Sequence, residues 1–104
     1  MANAFKNSSA QILTTSTPIY TTPALTSVFS LYFSNVDGVN PVDITVEVYD
    51  DSGAVTRTLG KDLPIPVGST LEFGKISLET GDIIQAKSSA NVDVEAFANV
   101  LEIT

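Results

Sequence analysis

The side chains of this chain that could take part in bond making are carboxylates, lysines and hydroxyls, because its 104 residues include no histidine and no cysteine. Acyl transfer of the usual kind sets a Ser or Cys nucleophile beside a base, most often histidine, and that base is missing. Lys61, Lys75 and Lys87 could replace it in principle, but none lies in a recognisable motif and solvated surface lysines account for them better. Paired acids offer the acid and base of glycoside hydrolysis: Asp50 with Asp51, Glu79 with Asp82, and Asp93 with Glu95. Sugar clefts are commonly lined with aromatics, and this chain has no Trp and only 8% aromatic residues, so turns and solvated strand faces explain these acids. Asp50, Asp51, Ser52 and Gly53 offer oxygen ligands in a turn, yet without the spaced ligands and distal bidentate Glu of an EF-hand loop. No catalytic residue, metal site or cofactor is assigned. Asn7, Ser8 and Ser9 have the form of a glycosylation acceptor, which carries no weight without a secretory signal.

The elements that must position these groups are strands. A chain of this length forms one domain and buries roughly two-thirds of its unfolded surface. Its hydrophobic fraction of 43% is globular, while charged residues make up only 16%, below the roughly one-quarter usual for soluble domains. The polar surface must therefore be rich in Ser, Thr and Asn, which suits close protein contact, although Thr is also a good strand residue. A net charge of -7 with five Lys and Arg opposes nucleic-acid binding. The opening MANAFKNSSAQ lacks the basic and apolar regions of a secretory signal, and no run of about 18 apolar residues suggests a membrane helix. A soluble product made in the cytosol, with no membrane partner, is expected.

Met1 to Thr17 is polar and small, with Phe5, Ile12 and Leu13 as its large apolar groups; it reads as an extended arm, residues 1–17, ahead of a domain over 18–104. From Pro18 a period of two takes over. Phe29, Leu31 and Phe33 share one face, with Ser30, Tyr32 and Ser34 on the other. Asn35, Val36, Asp37 and Gly38 supply a reversal, and Ile44, Val46 and Val48 alternate with Thr45, Glu47 and Tyr49 up to a hairpin turn at 50–53. Pro64 and Pro66 confine their segment to an edge or a crossing loop. Short strands follow at 71–73, 76–78 and 83–88, and Val94, Ala96 and Ala98 alternate with Glu95, Phe97 and Asn99. Val100, Leu101 and Ile103 break that phase, which calls for a bulge near Val100 or for two covered faces, the second marking a subunit contact. No helical spacing occurs. Some seven or eight short strands predict an all-β single sandwich, immunoglobulin-like or jelly-roll.

Several pieces in order resemble a family of small tailed-bacteriophage virion proteins: Ala4 to Asn7, Ile19 to Pro23, Asn35 to Gly38, the Pro64 to Pro66 crossing, Leu78 to Asp82, and Val100 to Ile103. The likeness spans nearly the whole chain and departs from the family pattern at Pro18 and Phe97. It implies a non-enzymatic structural component of a virion, made in the host cytoplasm. On that basis the expected function is a capsid decoration or cement protein that binds the major capsid protein and forms a homo-oligomer, with a trimer favoured. The alternative is a tail, neck or fibre component that binds a host-surface glycan by stacking on Tyr20, Tyr32 or Tyr49. Phe5, Lys6, Asn7, Ile12, Leu13, Leu101 and Ile103 are the candidate subunit or capsid contacts.

Overall fold

The computed structural model describes residues 3–103, apart from the side chains of Ser27 and Phe29. Nine strands occur among them: β1 (Ala4–Ile12), β2 (Thr17–Thr21), β3 (Leu25–Asn35), β4 (Val42–Asp50), β5 (Val55–Ile65), β6 (Thr70–Phe73), β7 (Ile76–Leu78), β8 (Ile83–Ser88) and β9 (Val94–Ile103). One sheet runs β1-β9-β3-β6, with β7 also on β3, and the other runs β2-β8-β4-β5. All pairs are antiparallel.

The pairing is nested about the β4–β5 turn: β4 joins β5, β3 joins β6 and β7, β2 joins β8, and β1 joins β9. A single long ribbon folded at that turn and rolled into two layers has this connectivity, so of the two expected sandwich types the structure is a jelly roll. β6 and β7 are one ribbon strand interrupted at Gly74 and Lys75, opposite a register shift between Val28 and Ser30.

Strand alternation decides what lies between the layers. Ile12, Val28, Leu31, Phe33, Val94, Ala96, Ala98 and Val100 of the first sheet meet Ile19, Val42, Ile44, Val46, Ile65, Ile84 and Ala86 of the second in one core. Leu31 and Phe33 point inward and Ser30, Tyr32 and Ser34 outward, as the spacing predicts; the expected inward position of Phe29 lies outside the described side chains. β9 keeps its alternation unbroken from Val94 to Glu102, and the bulge expected near Val100 is present opposite it. The bulge is on the facing strand β3, and Glu102 occupies an inward position.

Residues 4–12 of the expected arm are β1, matched residue for residue with β9 from Ala4 opposite Glu102 to Ile12 opposite Val94. Ile12 is fully buried in the chain's own core. After the hairpin turn, β5 runs on to Ile65, bent by register shifts opposite Val46 and carrying Asp62 at φ 52. β5 is an edge, which is where Pro64 is tolerated.

The loop after β3 is built by Asn35, which is 3% exposed. Its amide donates to the carbonyls of Asn40 and Ile65 at 3.0 Å each, and its Oδ1 accepts the Asp37 N–H at 2.9 Å. Replacing it with alanine would leave two carbonyls and one N–H short of a partner, each costing about 1–3 kcal/mol if still dry. Asn35→Ala is therefore expected to lower the unfolding free energy by at least about 2 kcal/mol in urea titrations; an unchanged midpoint would show that water replaces the side chain without loss.

Candidate functional site

The acids singled out in the sequence converge in part. One carboxylate oxygen from each of Asp50, Glu79 and Asp82 lies within 4.8 Å of the others. Asp82 is buried, and both of its oxygens are already engaged: Oδ1 accepts the Asp51 N–H at 3.0 Å and Oδ2 the Glu79 N–H at 2.9 Å. Thr22, also buried, donates its hydroxyl to the carbonyls of Glu79 and Asp82 and its N–H to Asp82. The network ties the β2–β3 loop, the β4–β5 hairpin and the β7–β8 turn together at one end of the sandwich. Gly81 completes it, at φ +94 and with Asp51 Oδ2 only 2.6 Å from where a Cβ would stand. A carboxylate that accepts backbone N–H groups from two turns in this way caps them.

The other chemical candidates are spoken for or dispersed. Lys87 Nζ lies 3.8 Å from Glu47 Oε2, and Glu47 also accepts from Ser16 Oγ at 2.7 Å and Gln85 Nε2 at 3.2 Å. Ser89 Oγ accepts the Asp43 N–H, and Ser88 Oγ donates to the Ala90 carbonyl. Lys61 and Lys75 are exposed. Asp93 does not work with Glu95, which points outward between Gln11 and Ser34. It lies instead beside Asp37: burial first, then the neighbouring charge, raise the Asp93 carboxyl, while the Val39 and Asn40 hydrogen bonds lower that of Asp37. The three tyrosines form no common surface. Tyr20 turns inward, and Tyr32 and Tyr49 lie on the outer faces of different sheets.

The contact residues separate into four places. Phe5 is paired directly with Leu101, and Ile103 directly with Leu25, all on the outward register of the first sheet. Phe5 is 76%, Leu25 55% and Ile103 44% exposed, and a depression of about 270 Å³ lined by Leu25, Leu78, Glu79 and Ile103 adjoins them. The same face continues through Asn7, Asn99, Ser9 and Ser30 to Phe97 and Tyr32 without a charged side chain until Glu95 and Glu72. Leu25 was not among the expected contacts; two leucines six residues apart in β3 look alike in sequence, and only the bulge between them turns Leu25 out and Leu31 in. Leu13 sits at the opposite end, near exposed Val36, Val39 and Val92, on loops joined by the Thr14–Asn91 and Val36–Asp93 hydrogen bonds. Ile12 is in the core, so it is a packing residue.

Lys6 belongs to a clasp that the residue types alone do not reveal. Its ammonium lies 3.0 Å from Oε1 of Glu102, which is 5% exposed between the sheets. The Tyr20 hydroxyl, from the opposite sheet, donates to the other oxygen. The clasp joins β1, β9 and β2 where the two layers' edges meet, and Ser8 Oγ adds a hydrogen bond to the Ile19 carbonyl at 2.6 Å. Burial, then the Glu102 hydrogen bond and charge, push the Tyr20 hydroxyl up to about 12 from 10.0. The Tyr20 and Lys6 hydrogen bonds hold Glu102 below its usual value.

No protein-family model and no curated protein matches the chain. Two solved structures of a pentameric capsid protein isolated from metagenomic phage sequences align with 97% of this chain at 22% identity, with TM-scores of 0.48 and 0.47. This chain spans 61% and 62% of their lengths.

The clasp has opposite consequences at the two ends of the pH scale. A hydroxyl whose folded pKa is raised supplies stability that is whole below its unfolded value and is lost as pH climbs through the folded one, here from 10.0 to about 12. Glu102, lowered in the fold, supplies stability at neutral pH that is lost as acid takes the pH down through its folded value. In urea melts across pH, Tyr20→Phe is expected to flatten the alkaline decline and Glu102→Gln the acid one. An alkaline limb equally steep in Tyr20→Phe would assign it to other groups.

Proposed function

We propose that this chain is a non-enzymatic structural protein of a bacteriophage virion, a capsid decoration or cement protein that binds the major capsid lattice through the outer face of its first sheet. The observation that carries the reading is that face: Phe5, Leu25 and Ile103 exposed beside a half-buried Leu101, continued by an uncharged field of Asn, Ser and aromatic side chains. Exposed apolar groups that cluster mark contact surfaces, whereas scattered ones need no explanation. A standard interface takes about 800 Å² from each partner, and a sheet face supplies such an area without rearrangement.

The sequence resemblance to phage virion proteins supports the same reading, and jelly rolls are used as viral capsid and lectin domains, although a fold does not set a function by itself. Against an enzyme stand the missing histidine and cysteine and the engagement of both Asp82 oxygens by backbone N–H groups. The charge of -7 disfavours nucleic acid as a partner. Self-association, a location in the virion and synthesis in the host cytoplasm belong to the reading. The glycan-binding alternative gains no observation, since its tyrosines do not converge.

The experiment is titration of the purified chain onto empty capsids of its phage, with bound copies counted by gel densitometry. Saturable binding is expected, and Leu25→Asp with Ile103→Asp should weaken it tenfold or more, since each apolar side chain loses about 1.5–3 kcal/mol of burial and 1.4 kcal/mol is a factor of ten. Immunogold labelling confined to the tail, or turnover of a glycan substrate, would overturn the proposal.

A further inference from the structure

Away from Leu25 and Ile103, the outer face of the first sheet ends in a second feature. The registers of β1, β9, β3 and β6 set two rows across the sheet there: Ser9, Phe97, Tyr32 and Glu72 in one, and Gln11, Glu95, Ser34 and Thr70 in the next. Short Ser9 and Ser34 stand beside longer Phe97, Gln11 and Glu95, and the difference leaves a depression of about 350 Å³. Phe97, 42% exposed, and the exposed Glu95 both line it. Glu95 flanks Phe97 along β9, and Glu72 flanks Tyr32 across to β6. Neither acid belongs to an ion pair among the described residues. None of the chain's five cations takes an outward strand position here: Lys6 turns in to Glu102, Lys87 faces Glu47, Arg57 and Lys61 are on β5 of the other sheet, and Lys75 is in the β6–β7 break.

We propose that this depression holds an arginine side chain of the protein that the face binds, its guanidinium paired with Glu95 and lying against the Phe97 ring. Arginine fits because its planar fork bonds a carboxylate with two N–H groups while stacking on an aromatic face, whereas the point charge of lysine lacks the fork. Charge complementarity sets the sign of the partner. Two carboxylates flanking an aromatic pair, in a chain of charge -7, are matched by a basic surface. Continuity sets its class. Phe97 and Ile103 share the outward face of β9 and lie about 20 Å apart at about 3.4 Å per residue, so one protein surface covers both, whereas a single sugar ring covers only one. For the identity of that protein the inference rests on the capsid reading; the site itself does not.

Two measurements separate the site from the partner. In the isotope-labelled full-length chain, a hexa-arginine peptide is expected to shift the backbone amide resonances of Gln11, Glu95 and Phe97. Its binding should be at least fivefold weaker in Glu95→Gln and within twofold of the original in Asp43→Asn, which removes the same charge from an exposed position on the other sheet. On empty capsids the two variants should differ in the same way, and raising NaCl from about 50 to about 300 mM should weaken the unsubstituted chain more than Glu95→Gln. Equal peptide binding by the two variants, or shifts at these amides from neutral maltohexaose with none from the arginine peptide, would overturn the site. Capsid binding that Glu95→Gln leaves intact would overturn the arginine contact and leave the decoration role standing. Peptide binding at the site by a chain that ignores capsids would sink the decoration role alone.

Discussion

The closure of β1 onto β9 is the constraint on which the rest of this structure depends. Ala4 meets Glu102, so the two ends of the described chain are zipped together over nine residue pairs. A contact of that sequence separation carries a large loop-closure cost, which grows only slowly with length once the inner pairs have formed. The nested order gives a route: β4 and β5 are joined by a short turn, β3 then finds β6 and β7, β2 finds β8, and β1 finds β9 last. Each layer of pairing shortens the loop that the next must close.

That closure also places one of the buried carboxylates, Glu102. Glu102 lies inward because β9 keeps strict alternation, and its charge is tolerable because β1 brings Lys6 and β2 brings the Tyr20 hydroxyl to it. A carboxylate between two sheets with either partner missing would face desolvation without compensation. Inward Glu102 in turn leaves Leu101 and Ile103 on the outside, where they join Phe5 and Leu25. The clasp and the exposed apolar face are therefore two sides of a single register, and a slip by one residue would exchange them.

Much of the architecture was legible because it follows from the period of two. The inward Leu31, Phe33, Ile44, Val46, Val94, Ala96 and Ala98, the turn at Asn35 to Gly38 and the edge position of Pro64 all lie where alternation and turn chemistry put them. Residues 4–12 were less legible, since AFKNSSAQI buries little by itself and reads as an arm; its strand state comes from the ladder with β9, which no local signal in that segment encodes. The break of phase near Val100 was visible, but that an acid, Glu102, takes the inward place there while Leu101 and Ile103 face out depends on partners from β1 and β2.

By itself the amino-acid sequence determined the fold class and the chemistry left open: alternating β-branched residues between turn signals make strands, and a chain without histidine or cysteine lacks the usual nucleophile-base pairs and thiolate metal sites. Only the tertiary structure decided which sandwich it is, which acids meet, and which apolar side chains face out. Those properties depend on pairing between strands as distant as 4–12 and 94–103, and on single-residue bulges that reverse the facing of everything beyond them. Local sequence fixes the period of a strand, but its partner and phase are set by the whole sheet.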